Sequence, residues 1–110
     1  MSKLYGILLF LLVADYASSV LTNTYIFEFG QNIGTLLTRF DGTIPFLQYS
    51  TEVDLDVPSE DSVEYVKVIV HAVSPPKVDY NSEKRQVTIA YAWSQVSYST
   101  YTIIVKGYIQ

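Results

Sequence analysis

The sequence predicts an all-β domain, a small antiparallel β-sandwich or barrel of about six to seven strands behind an N-terminal leader. Three observations carry this reading. Leu47, Tyr49, Thr51, Val53, Leu55 and Val57 alternate with Gln48, Ser50, Glu52, Asp54 and Asp56. The runs at 63–73 and 98–108 are crowded with β-branched and aromatic residues, which pack well on a pleated surface. Turn signals recur at roughly ten-residue spacing after the leader, and no segment there keeps a helical period.

The leader comes first. Lys3 is an early charge, residues 4–14 are uninterruptedly apolar, and Ala17, Ser18 and Ser19 are small. That order is the one a secretory signal peptide presents to its peptidase. The apolar run is well short of the roughly 20 residues that span a bilayer, and Asp15 closes it. A buried amphipathic helix would need a polar face, which the run lacks. A cut after Ser19 places Ala17 and Ser19 in the two subsites that demand small side chains, whereas a cut after Ala17 would put Asp15 in one of them. Residues 1–19 are therefore read as a signal peptide and 20–110 as a single β-domain, secreted and extracellular.

The strands follow in order. Tyr25, Phe27 and Phe29 alternate with Ile26 and Glu28, and a strand at 34–40 follows a turn at 30–32. Asp41-Gly42 is a tight-turn signal. The alternating run at 46–57 has one wet and one buried face, as antiparallel strands do, and Pro58 ends it because proline cannot donate to the ladder. In 63–73, Val66, Val68, Val70 and Ala72 form one face, and Tyr65, Lys67, Ile69 and His71 form a mixed one. The short polar link at 58–62 predicts a hairpin between these two long strands. Ser74-Pro75-Pro76 breaks the chain, 77–80 is a short strand, and 81–84 is a polar turn. A strand at 85–93 sets Val87, Ile89, Tyr91 and Trp93 against Thr88, Ala90 and Ala92, and a polar loop at 94–99 leads to the last strand at 98–108.

Composition narrows the function. The chain has no cysteine, which removes thiol catalysis, zinc–thiolate sites and stabilising disulfides. Burial must hold the domain together, and aromatics supply much of it. Only two of the ten tyrosines and one of the five phenylalanines precede the predicted cut. The net charge of −4 survives cleavage because Lys3 and Asp15 leave together. Of the basic residues only Lys84 and Arg85 are adjacent, so the clustered cations that bind phosphate backbones are missing and no nucleic-acid partner is expected. No stable membrane insertion is expected either. Asn23, Asn32 and Asn81 all lack the third-position hydroxyl of a glycosylation acceptor.

Candidate chemistry is sparse. Glu52, Asp54 and Asp56 share a strand face, with Glu60 and Asp61 beyond. Hard cations take such oxygens, but carboxylates two residues apart on a strand stand about 7 Å from each other, too far for one ion without loop ligands. A solvated face that discourages edge pairing is the better reading, with no metal and no cofactor. His71 is the only histidine, and no serine sits in a nucleophile-elbow glycine pattern. No catalytic residue is assigned. Tyr91, Trp93, Tyr98, Tyr101 and Tyr108 crowd the C-terminal third. Those sharing faces with Val87, Ile89, Ile103 and Val105 are read as core, and Tyr98 and Tyr108 as exposed. Tyr98, Tyr101, Tyr108 and His71 are the candidate contact residues for a ligand or partner.

The order of these pieces resembles one family, the insect secreted proteins grouped with the multiprotein bridging factor two transcription activator of silk moth. The matching pieces are Gly34-Thr35-Leu36-Leu37, the run 51–58, Val63-Glu64-Tyr65-Val66-Lys67-Val68, Gln86-Val87-Thr88-Ile89 and Ile103-Ile104-Val105-Lys106-Gly107-Tyr108. Residues 78–82 contain no glycine where the family usually carries a pair, which marks a diverged member. The resemblance implies a small secreted β-domain without known catalytic residues. The family name also implies a transcriptional co-activator role, which sits poorly with a signal peptide. The leading expectation is a secreted, non-enzymatic binding domain with an unidentified protein or small ligand as partner. A co-activator and a small secreted hydrolase are the alternatives.

Overall fold

The computed structural model describes residues 22–45, 48–92 and 99–110. The leader at 1–19, Phe46, Leu47, Trp93 and Tyr98 lie outside the described residues, as does most of the polar loop at 94–99. Seven strands follow one another: β1 (Asn23–Gly30), β2 (Thr35–Ile44), β3 (Ser50–Asp54), β4 (Ser62–Ala72), β5 (Lys77–Asn81), β6 (Gln86–Ala90) and β7 (Ser99–Tyr108). All pairings are antiparallel. They build two sheets, a four-stranded one in the order β1-β4-β7-β2 and a three-stranded one in the order β3-β6-β5. The all-β expectation holds, and the architecture is a small β-sandwich with no helix among the described residues.

The core lies between the sheets. Val66, Val68, Val70 and Ala72 of β4 and Ile103 and Val105 of β7 are sealed from solvent. They meet Val78, Val87, Ile89, Tyr91 and Leu55 of the three-stranded side. Each set occupies alternate positions, as the two-residue side-chain period of a strand requires. The half-buried rings of Tyr25, Phe27, Phe29 and Phe40 pack along the sandwich rims, and Phe29 meets Tyr80 of the opposite sheet at a centroid distance of 5.9 Å.

Three local expectations are corrected. The strands at 46–57 and 63–73 do not form a hairpin: β3 pairs with β6, and β4 with β1 and β7 in the other sheet. The link 58–62 crosses between sheets. Its carbonyls at Pro58 and Asp61 accept hydrogen bonds from the Arg85 guanidinium, which ties the crossing to the β5–β6 turn. Asp41-Gly42 is not a turn but part of β2, opposite Thr102 and Tyr101. Gly42 leaves the space that the far end of the Tyr101 ring occupies. Tyr49, on the apolar side of the alternating run, is exposed, because the paired part of that strand begins only at Ser50. Its carbonyl still accepts the Tyr91 amide hydrogen bond at 2.8 Å.

Candidate interaction surface

The inner face of the four-stranded sheet supplies the core, so ordinary patterning would leave its outer face polar. It is not. The register sets the outward side chains in four rows across β1, β4, β7 and β2: Thr24–His71–Thr100–Thr43, Ile26–Ile69–Thr102–Asp41, Glu28–Lys67–Ile104–Arg39, and Gly30–Tyr65–Lys106–Leu36. Tyr108 ends the face opposite Ser62. Ile26 is 55% exposed and Leu36 57%, and Ile69 and Ile104 are half-buried between them. Exposed β-branched and leucine side chains gain free energy only when something covers them.

The charges on this face lean opposite to those of the whole chain. Arg39, Lys67 and Lys106 stand against Glu28 and Asp41, whereas the net charge of the chain is −4. The outer face of the three-stranded sheet carries exposed Glu52, Asp54 and Asp79 against the single cation Lys77. The two broad faces of the sandwich therefore differ in sign.

A polar cluster anchors one side of the outer face. Glu28 accepts a hydrogen bond from the Tyr65 hydroxyl and stands directly across from Lys67. Tyr65 faces outward yet is only 3% exposed, because its strand partner is Gly30, which leaves room for the ring. Burial, then the Glu28 hydrogen bond and the Glu28 charge, pushes the Tyr65 pKa up from 10.0 to about 12. An unfolded chain ionises this tyrosine first, so the stabilisation is whole below pH 10 and is lost as pH climbs through the folded value. In urea titrations the parent is expected to lose stability more steeply than Tyr65→Phe between pH 10 and about 12. Parallel pH curves for the two proteins would contradict this linkage.

The described candidate contact residues are not gathered at one point. His71 and Tyr108 share the outer face, but their partners show them at opposite ends of β4, about 30 Å apart at the usual strand rise. His71 Nδ1 shares a 3.0 Å hydrogen bond with its cross-strand neighbour Thr24 Oγ1. Tyr101 points to the inner face, half-buried over Gly42, and packs on the core. Tyr108 is 46% exposed beside the other outward apolar groups. Tyr98 lies outside the described residues.

Sequence reasoning missed Ile26, Leu36 and Ile104. A signal was present, since 64–71 and 102–106 carry apolar residues on both parities. Apolar residues on both parities mark a strand whose second face is partly apolar as well. Of the acidic run, Glu52 and Asp54 are exposed, and Asp54 accepts a 2.9 Å hydrogen bond from Gln86. Among the described residues no group of three or more His, Asp or Glu is placed to hold a metal ion, and no helix is long and apolar enough to cross a membrane. No family model, curated protein or solved structure matches the chain.

Proposed function

We propose that this chain is a secreted, non-enzymatic β-sandwich that binds an extracellular protein through the outer face of its four-stranded sheet. The observation that supports it most is the outward apolar set of exposed Ile26 and Leu36 and half-buried Ile104 among Arg39, Lys67 and Lys106. Apolar side chains interleaved with charged ones, Ile26 and Leu36 on the edge strands and Lys67 and Lys106 on the central ones, make a surface that binds by burial and chooses by charge. The excess of cations favours a partner whose contact surface is acidic. Three cations beside two carboxylates are too few and too mixed for a nucleic-acid backbone. The leader at 1–19 supports export, and the lack of cysteine suits a domain that relies on burial in an oxidising compartment.

The test has two arms. Protein recovered from extracellular fluid should begin at Val20, and recovery of an intracellular chain that keeps 1–19 would sink the secreted reading. Partners that co-purify with the parent should be lost with Leu36→Glu and with Ile104→Glu, each weakening binding by about 2 kcal/mol or more because a carboxylate covered without a partner is costly. Glu52→Lys, on the other sheet, should leave them bound. Partners that follow the Glu52 variant instead would place the binding surface on the wrong face of this proposal.

A further inference from the structure

We propose that the chain forms a two-fold dimer in which β2 pairs antiparallel with β2 of a second copy, joining the two four-stranded sheets into one of eight strands. β2 ends its sheet, and among the described residues no strand pairs with its outer edge. A two-fold that joins two such edges runs perpendicular to the sheet and keeps outer face continuous with outer face, so it must pass through a residue of β2.

Charge then selects the register. Arg39 and Asp41 lie exposed on the same face, two positions apart. Centring the axis on residue 39 sets arginine against arginine, and centring it on 41 sets aspartate against aspartate. Centring it on Phe40 sets Arg39 opposite the second copy's Asp41, and does so twice. Opposite charges directly across an antiparallel pair stabilise it, and like charges destabilise it. Among the described residues Arg39 has no ion-pair partner within its own copy, and Asp41 accepts a hydrogen bond from the Thr102 hydroxyl through one carboxylate oxygen, which leaves the other for an arginine. In the same register the half-buried Phe40 rings meet at the axis, and Gly42 faces Thr38 without crowding. The β2 bulge between Leu36 and Thr38, with Pro45 just past the strand, confines the pairing to 38–42.

The other edges are built differently. In β3 the corresponding axis, through Val53, would set Glu52 against Asp54, which repels. β5 carries Lys77 and Asp79 at the same spacing, but the two already pair on their own strand at 3.9 Å, and Pro75-Pro76 precede it. β1 carries one charge, Glu28, so no two-fold register of this strand sets opposite charges across the axis.

Sedimentation equilibrium of the mature chain over a range of concentrations should show a reversible monomer–dimer equilibrium that weakens with added salt. Arg39→Asp and Asp41→Arg should each raise the dissociation constant by roughly tenfold or more, because both cross-strand pairs become repulsive. Mixing these two variants should restore dimers, since each then faces its opposite charge. Circular dichroism of each variant separates loss of dimer from loss of fold, and the mixture provides a readout that misfolded chains could not rescue. A parent that stays monomeric throughout, or a dimer indifferent to both reversals, would overturn the proposal.

Discussion

Replacing Ile103 with alanine is expected to lower the unfolding free energy by about 3–4 kcal/mol, while the same change at the adjacent Ile104 costs under about 1 kcal/mol. Ile103 sits at the middle of β7, paired with Val68 on one side and Phe40 on the other, and no part of it reaches solvent. Alanine there removes most of the side chain from a packed interior and leaves a cavity that rigid sheets on both sides cannot close. Ile104 points to the outer face and is already half-wet. A domain of about ninety residues has a net stability of order 5–10 kcal/mol, so the first variant loses a large share of it. No disulfide is present to offset the loss. Urea midpoints with unchanged slopes would measure both values. Equal costs at the two positions would mean that the faces of β7 are assigned the wrong way round.

Gly30→Ala is expected to cost about 2–3 kcal/mol, as a side chain there meets two obstacles at once. Gly30 has φ +83°, in the left-handed region that L-residues avoid. Its missing side chain also leaves space for the Glu64 carbonyl, which accepts the Gln31 amide hydrogen bond at 3.0 Å. A methyl group would collide with that backbone oxygen, which cannot swing aside as a side chain can, so the end of the β1–β4 ladder must open. Gly42→Ala provides the contrast. Its new methyl meets only the far end of the Tyr101 ring, which can rotate, so a cost nearer 1 kcal/mol is expected. Hydrogen exchange at the Gln31 amide should quicken in the Gly30 variant and not in the Gly42 variant. A Gly30→Ala protein as stable as the parent would refute the conformational requirement.

Strand content was legible because the period-two pattern is local. The faces of β4 follow from Val66, Val68, Val70 and Ala72, and the wet face of β3 from Glu52 and Asp54. The short strand at β5 was readable between a proline pair and a polar turn. Pairing was not legible. Among the described strands only β5 and β6 are consecutive and paired, and every other ladder joins segments distant in sequence. A short polar link such as 58–62 looks the same whether it turns back on its own sheet or crosses to the other. Asp41-Gly42 likewise looks like a turn until Tyr101, far along the chain, claims the space above the glycine.

The candidate surface divides in the same way. His71 and Tyr108 were singled out by residue type, and both do face outward. Their separation and the inward turn of Tyr101 depend on register, which no local pattern encodes. The amino-acid sequence by itself determined an all-β domain, its lack of disulfide support and the inward sets of β4 and β6, since composition and side-chain alternation act within a few residues. Only the tertiary structure decided which strands pair, that Ile26, Leu36 and Ile104 share one outer face, and that β2 ends its sheet with Arg39 and Asp41 exposed. Those properties arise from contacts between segments tens of residues apart, whose alternatives differ in packing of the whole sandwich rather than in any local preference.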